Sequence, residues 1–131
     1  MSLSELPRDV QQLLAEQIRS IEQLEIVLLL RDSADRRWTA PEVYQKVRSS
    51  ERSVSYTLDE LARRGLLARI DQPQPLFQFA PRTPELRTAI DELARLYSER
   101  RVRIVEAIYS LPISAVDEFA KAFRLRKDPH A

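Results

Sequence analysis

Four side chains fall within five consecutive positions of this sequence: Arg52, Ser53, Ser55 and Tyr56. Each is short or can form hydrogen bonds, and none is a nucleophile with a base beside it. What such a set can do is recognition rather than reaction. Presented on the outward side of a helix, donors and acceptors of this kind can approach base edges in the major groove of a duplex. Two further hydroxyl residues stand beside expected helix starts. Ser49 is placed to reach a phosphate, and Thr39 opens a helix whose free backbone N–H groups can meet another.

Catalytic chemistry finds little to work with. There is no cysteine, which excludes disulfides, thiolate metal sites and cysteine nucleophiles. The one glycine is Gly65, whereas phosphate-cradling loops need several so that backbone can approach an anion. The one histidine, His130, is next to the last residue, where no rigid surroundings are expected to orient it. The carboxylates are interspersed with arginines on amphipathic stretches, where they read as solvated faces. No enzyme, metal or cofactor is expected.

The elements that must position the recognition residues follow from cap signals and periodicity. A first helix is predicted over Leu6–Arg19, with Pro7 in its opening turn and Val10, Leu13, Leu14 and Ile18 on one face. Ser20 and Gln23 have the capping-box spacing and open a second helix with an Ile21, Leu24, Val27, Leu28 stripe that fades at Asp32–Asp35. Trp38 falls in a short extended piece, as a core residue pinning it rather than a ligand platform. Thr39 and Glu42 form a second capping box, with Pro41 in the first turn of a short helix ending near Arg48. A helix over Glu51–Arg64 turns Val54, Leu58 and Leu61 inward, and Gly65 sits where a helix end takes a left-handed residue. Strands at Leu66–Asp71 and Leu76–Ala80 flank Gln72-Pro73-Gln74-Pro75, a turn. Thr83 opens a helix of about 27 residues, to Ser110, and Ser114–Asp117 start a short last one carrying Val116, Phe119, Ala120 and Phe123.

This order predicts a mainly α chain with a small β-hairpin wing: a winged helix-turn-helix with a long C-terminal helix and extra terminal helices. The segment from Ser50 to Arg69, with hydroxyl-Val-hydroxyl at Ser53-Val54-Ser55 and a helix ending in Arg64-Gly65-Leu66, resembles the recognition helix and wing start of MarR-like regulators. The resemblance spans about Leu24 to Phe79. It implies double-stranded DNA as partner, with Arg52, Ser53, Ser55 and Tyr56 reading bases and Lys46, Arg48 and Arg69 on phosphates. It also implies a homodimer, and a small-molecule effector in the manner of the family, for which the sequence identifies no residues.

Charge qualifies that expectation. Residues 1–82 hold 12 Lys and Arg against 12 Asp and Glu, although 45–69 hold six against three. Phosphate neutralisation dominates non-specific DNA affinity, so the module is expected to bind modestly. The wing tip carries no positive charge where MarR-like wings bring an arginine to the minor groove, and Glu51 opposes phosphate while suiting the helix dipole. Ser53 and Ser55 have an alternative as plain solvent-facing residues, Tyr56 as a ring packed on the preceding helix. Arg63 and Arg64 complement a helix C-terminus. The alternative for the whole chain is a winged-helix module that docks to a protein partner without productive DNA binding.

The predicted 27-residue helix would be about 40 Å long, more than a core of this size covers. Its stripe, with Leu93, Tyr97, Ile104 and Ile108, together with Phe119 and Phe123, is therefore expected at a two-fold dimer interface, the alternative being a monomer closed by its own terminal helices. The stripe is interrupted at Arg100-Arg101, by a polar face or a salt-bridge cluster. The units are then 1–19 (N-terminal helix), 20–82 (DNA-binding domain) and 83–131 (dimerisation). No apolar stretch approaches the ~20 residues of a membrane span, and the first residues lack a secretory pattern, so a cytoplasmic protein is expected.

Overall fold

The computed structural model describes residues 6–109. Eight elements follow in order: α1 (Arg8–Glu16), α2 (Ile21–Asp32), α3 (Ala40–Tyr44), α4 (Glu51–Arg63), β1 (Leu67–Asp71), β2 (Pro75–Phe79), α5 (Pro84–Glu99) and α6 (Arg101–Tyr109). The boundaries are set largely by side chains that occupy the orphan N–H groups of helix starts. At α3 the box is reciprocal: Thr39 Oγ1 accepts from the Glu42 N–H at 3.3 Å, and the Glu42 carboxylate accepts from the Thr39 N–H at 2.8 Å. Ser50 caps α4 through the Ser53 N–H at 3.1 Å, and Thr83 caps α5 through the Leu86 N–H at 3.0 Å. At α2 the expected box is only half formed. Ser20 accepts from Gln23 at 3.1 Å, but the Gln23 side chain accepts from the Arg19 N–H at 2.7 Å, one residue before the cap.

The end of α4 explains the single glycine. Gly65 has φ of +86°, and its N–H bonds to Ala62 O at 3.1 Å while the Leu66 N–H reaches Leu61 O at 3.0 Å. These two bonds make a Schellman termination, which satisfies carbonyls that the helix leaves open. The chain then enters β1 without a further turn.

The core is centred on α2, where Leu24, Ile26, Val27 and Leu30 are all buried. Burial on most sides, rather than along one stripe, marks α2 as the central helix. From α1, Val10, Leu13 and Leu14 join it, with Ile18 just beyond its end, and from α4, Val54, Leu58 and Leu61, as their spacing predicted. Pro7 precedes α1 as its cap instead of lying in its first turn, and α1 stops at Glu16 rather than Arg19.

The hairpin is antiparallel, with Leu67 opposite Phe79 and Asp71 opposite Pro75. Phe77 and Phe79, two apart on β2, point inward and are buried, as is Leu67. Trp38, at 2% exposure, adds a bridge on the other side of β2: its N–H donates to Phe77 O at 2.8 Å and its carbonyl accepts from Phe77 at 2.7 Å. The guanidinium of Arg36 lies 3.6 Å from the centre of the indole. The extended piece is thus the third strand position of the sheet, and Trp38 is core, as expected.

A larger departure concerns the long helix. The helix predicted to run from 84 to 110 is two helices, α5 and α6, separated at Arg100 (φ −140°, ψ 53°). The buried side of α5 is Ala89, Ile90, Leu93 and Leu96, and an uninterrupted helix would carry that side on to position 100. Arg100 occupies it. Breaking the helix there leaves Arg100 exposed and lets Ile104, Ala107 and Ile108 of α6 return to the core. The predicted last helix, with Phe119 and Phe123, lies outside the described residues.

Candidate nucleic-acid interface

The helix α4 is docked by Val54, Thr57, Leu58 and Leu61, so its opposite side is fixed by the 3.6-residue period. Arg52, Ser55 and Tyr56 occupy that outer side and are exposed, Tyr56 at 64%. The Tyr56 side chain is thus mostly open to solvent. Arg52 and Ser55 make no side-chain hydrogen bond or ion pair within the described residues. Between α3 and α4, Lys46 and Arg48 are exposed and equally without ion pairs among the described residues.

Two of the expected contacts point the other way. Ser53 donates its hydroxyl to Glu22 Oε1 at 3.0 Å, and Ser49 donates to Glu22 Oε2. Thr57, buried at 4% exposure, donates to Oε1 at 2.7 Å. Ser49, Ser53 and Thr57 are spaced four apart, so all three face α2 while Arg52, Ser55 and Tyr56 face out. Burial works to raise the pKa of Glu22, but the hydrogen bonds from Ser49, Thr57 and Ser53 outweigh it and leave the carboxyl below its ordinary value. Neither Glu22 nor Thr57 figured in the sequence expectation. The hydroxyl repeat at 49, 53 and 57 was the signal available for them. Thr39 Oγ1 is engaged by its cap, so a phosphate at the start of α3 would meet backbone N–H groups.

Arg69 is placed beside α4 but is not free. It bonds to Asp59 of α4 and, at 2.8 Å, to Asp71 on its own strand. Bonded first to Asp71 and also facing Asp59, its guanidinium is held protonated more firmly than usual. The expected phosphate contact at the wing is thus neutralised by two carboxylates. Arg63 pairs with Glu60; Arg64 pairs with Glu60 at 3.3 Å and donates to Gln17 O at 2.9 Å, so both are engaged within the chain by these partners rather than only by the helix end expected of them. An open cleft of about 230 Å³ runs between the start of α3, Ser55 and Asp59 of α4, and Gln74 to Phe77 of the hairpin.

Of the residues expected at a dimer interface, Leu93, Ile104 and Ile108 are buried within the chain itself. Tyr97 is half-buried, with the Arg101 guanidinium 5.0 Å from its ring centre. On α6 it is Val102 and Tyr109, at 69% and 79%, that face outward.

No protein-family model matches the chain, and no curated protein does. Among solved structures, it is similar to BpsR of Bordetella bronchiseptica, whose DNA binding is regulated by 6-hydroxynicotinic acid. The TM-score is 0.54 at 20% identity, over 94% of this chain and 84% of that one. The fold is a winged helix-turn-helix. In its terms α3 and α4 are the helix-turn-helix, with α4 in the position of a recognition helix, and β1 with β2 the wing, while α1 and α6 pack on α5. No helix among the described residues is long and apolar enough to cross a membrane, and no group of three or more His, Asp or Glu among them is arranged to hold a metal ion.

Proposed function

We propose that this chain is a sequence-specific DNA-binding transcriptional regulator of the MarR-like kind, acting in the cytoplasm as a dimer with α4 in the major groove. The observation that carries this reading is the outer side of α4. Arg52, Ser55 and Tyr56 are exposed there together, turned away from the core, with Lys46 and Arg48 beside them. An arginine can bond a guanine bidentately, and a serine can donate to or accept from any base, so the set suits direct readout. Two lysine or arginine charges on the preceding turn suit the flanking phosphates. A two-fold dimer would present two such helices to half-sites about one helical turn apart.

A small-molecule effector also fits. An open cleft of about 310 Å³ separates α1 from the start of α5, bordered by Leu13, Gln17, Leu86 and Ala89 and by the guanidinium residues Arg64 and Arg82. It joins the helices outside the winged module to the end of the recognition helix, where occupancy would bear on the angle of α4.

A second reading, a winged-helix module that binds a protein partner, is favoured by one observation. The wing carries its arginine already neutralised by Asp59 and Asp71, and its tip residues 72–75 are uncharged. Titration of labelled duplex from the region upstream of the chain's own gene against random duplex, at two salt concentrations, separates the two. A preference retained as salt rises is expected of the regulator. Equal, weak binding lost by physiological salt would leave the partner-binding reading.

A further inference from the structure

We infer that Glu22 is the positioning residue of the recognition helix: from the first turn of α2 it holds the turn before α4 and the first two turns of α4 by three hydroxyl hydrogen bonds. The inference rests on the proposed function for its consequence, but its geometry is independent of DNA.

The apolar anchors of α4 begin at Val54, so the three residues that start the helix, Glu51 to Ser53, place no apolar side chain in the core. Apolar contacts from Val54 onward fix which side of the helix faces the core, but none acts on its first three residues. Directed bonds at fixed spacing restrain rotation. Ser49, Ser53 and Thr57 all donate to one carboxylate, through Oε2 for Ser49 and Oε1 for the other two. An ionised carboxylate only accepts, so it sets all three hydroxyls in the same sense. Its base is firm: α2 is the most enclosed helix, and the N–H groups of its first turn favour a negative charge there. Arg52, Ser55 and Tyr56 lie on the opposite side of α4, so the rotation that Glu22 sets is the rotation at which they meet a groove.

The test uses the full chain and two measurements on Glu22→Ala and Glu22→Gln. Amide hydrogen exchange without DNA is expected to quicken at least tenfold at residues 51–57 in Glu22→Ala, with α1 and α5 unchanged. Binding to the preferred duplex is expected to weaken at least tenfold while binding to random duplex changes less than twofold, with Glu22→Gln between wild type and Glu22→Ala in both. Should Glu22→Ala not fold, Ser53→Ala removes one donor and carries the same two expectations at smaller size. Unchanged exchange at 51–57 overturns the inference, and so does quickening spread evenly over all helices, which would make Glu22 a general stabiliser. If the wild type prefers no duplex, the proposed function fails, and the exchange measurement still decides whether Glu22 holds the helix.

Discussion

The Arg69 guanidinium on the first wing strand is bonded to the Asp59 carboxylate on α4, so wing and helix are joined by an ion pair across the surface proposed to face DNA. The pair is partly exposed, which makes it a weak contributor to stability and an easy one to exchange for phosphate. Asp59→Asn together with Asp71→Asn should therefore leave the fold intact and raise DNA affinity. The slope of log affinity against log salt should steepen by roughly one contact's worth. An unchanged slope would show that Arg69 lies away from the duplex.

Arg52→Ala and Tyr56→Ala should each weaken binding to the preferred duplex, Arg52→Ala by about 1–3 kcal/mol if it bonds a base. Lys46→Ala should weaken preferred and random duplexes alike. A competition titration over single-base variants checks this. Uniform loss from Arg52→Ala would move that residue to the backbone.

Gly65→Ala should destabilise the chain by about 1–2 kcal/mol, the cost of a left-handed conformation for a residue with a Cβ. Space adds to strain here, because a Cβ would come within 2.7 Å of the Arg82 Nε. Urea denaturation measures it. A change of a few tenths of a kcal/mol would show that the helix end can terminate another way.

Glu22 gives a pH dependence of definite sign. Its carboxyl titrates below the ordinary 4.5 despite burial, because of the donors Ser49, Thr57 and Ser53. A carboxyl lowered by folding stabilises the fold above its unfolded pKa, and that contribution is lost as pH falls through the folded one. The stability gap between wild type and Glu22→Gln should therefore be widest above pH 4.5 and close below it. A gap independent of pH would mean that the charge of Glu22 is not what its donors stabilise.

The proposed dimer has its own test. Ile104 is fully buried in the chain, so Ile104→Glu should unfold it rather than merely separate subunits. Val102, which faces outward, is the position to charge: Val102→Glu should give folded monomers by light scattering. A stable Val102→Glu dimer would place the interface off this side of α6.

Much of this fold was legible because it is written locally. Thr39 with Glu42, Ser50 and Thr83 announce helix starts by bonds spanning three residues, and Gly65 ends α4 by a conformation that it alone adopts without strain. The inward positions of α4 follow from one period. The break at Arg100 was harder, since its neighbours keep helical spacing and only the continuation of the α5 stripe onto an arginine betrays it. The candidate interface was half legible. Arg52, Ser55 and Tyr56 were identifiable as outward, but Ser49 and Ser53 are turned inward by Glu22, 27 and 31 positions away, and local pattern does not reveal an acceptor at that distance. The pairing of Arg69, which was named as a phosphate contact, was missed for a similar reason: its positive charge is visible in the sequence, its neutralisation by Asp59 is a property of the packing.

Trp38 has a practical consequence. It is the chain's one tryptophan, and it is hydrogen-bonded through its backbone to the middle of the second wing strand, under the Arg36 guanidinium. Ultraviolet emission from the unlabelled protein therefore comes, for tryptophan, from a single buried indole at the seam between hairpin and helices. Any event that peels the hairpin away would bring water to that ring and shift its emission to the red, so the chain carries a native optical gauge of how firmly its wing is seated.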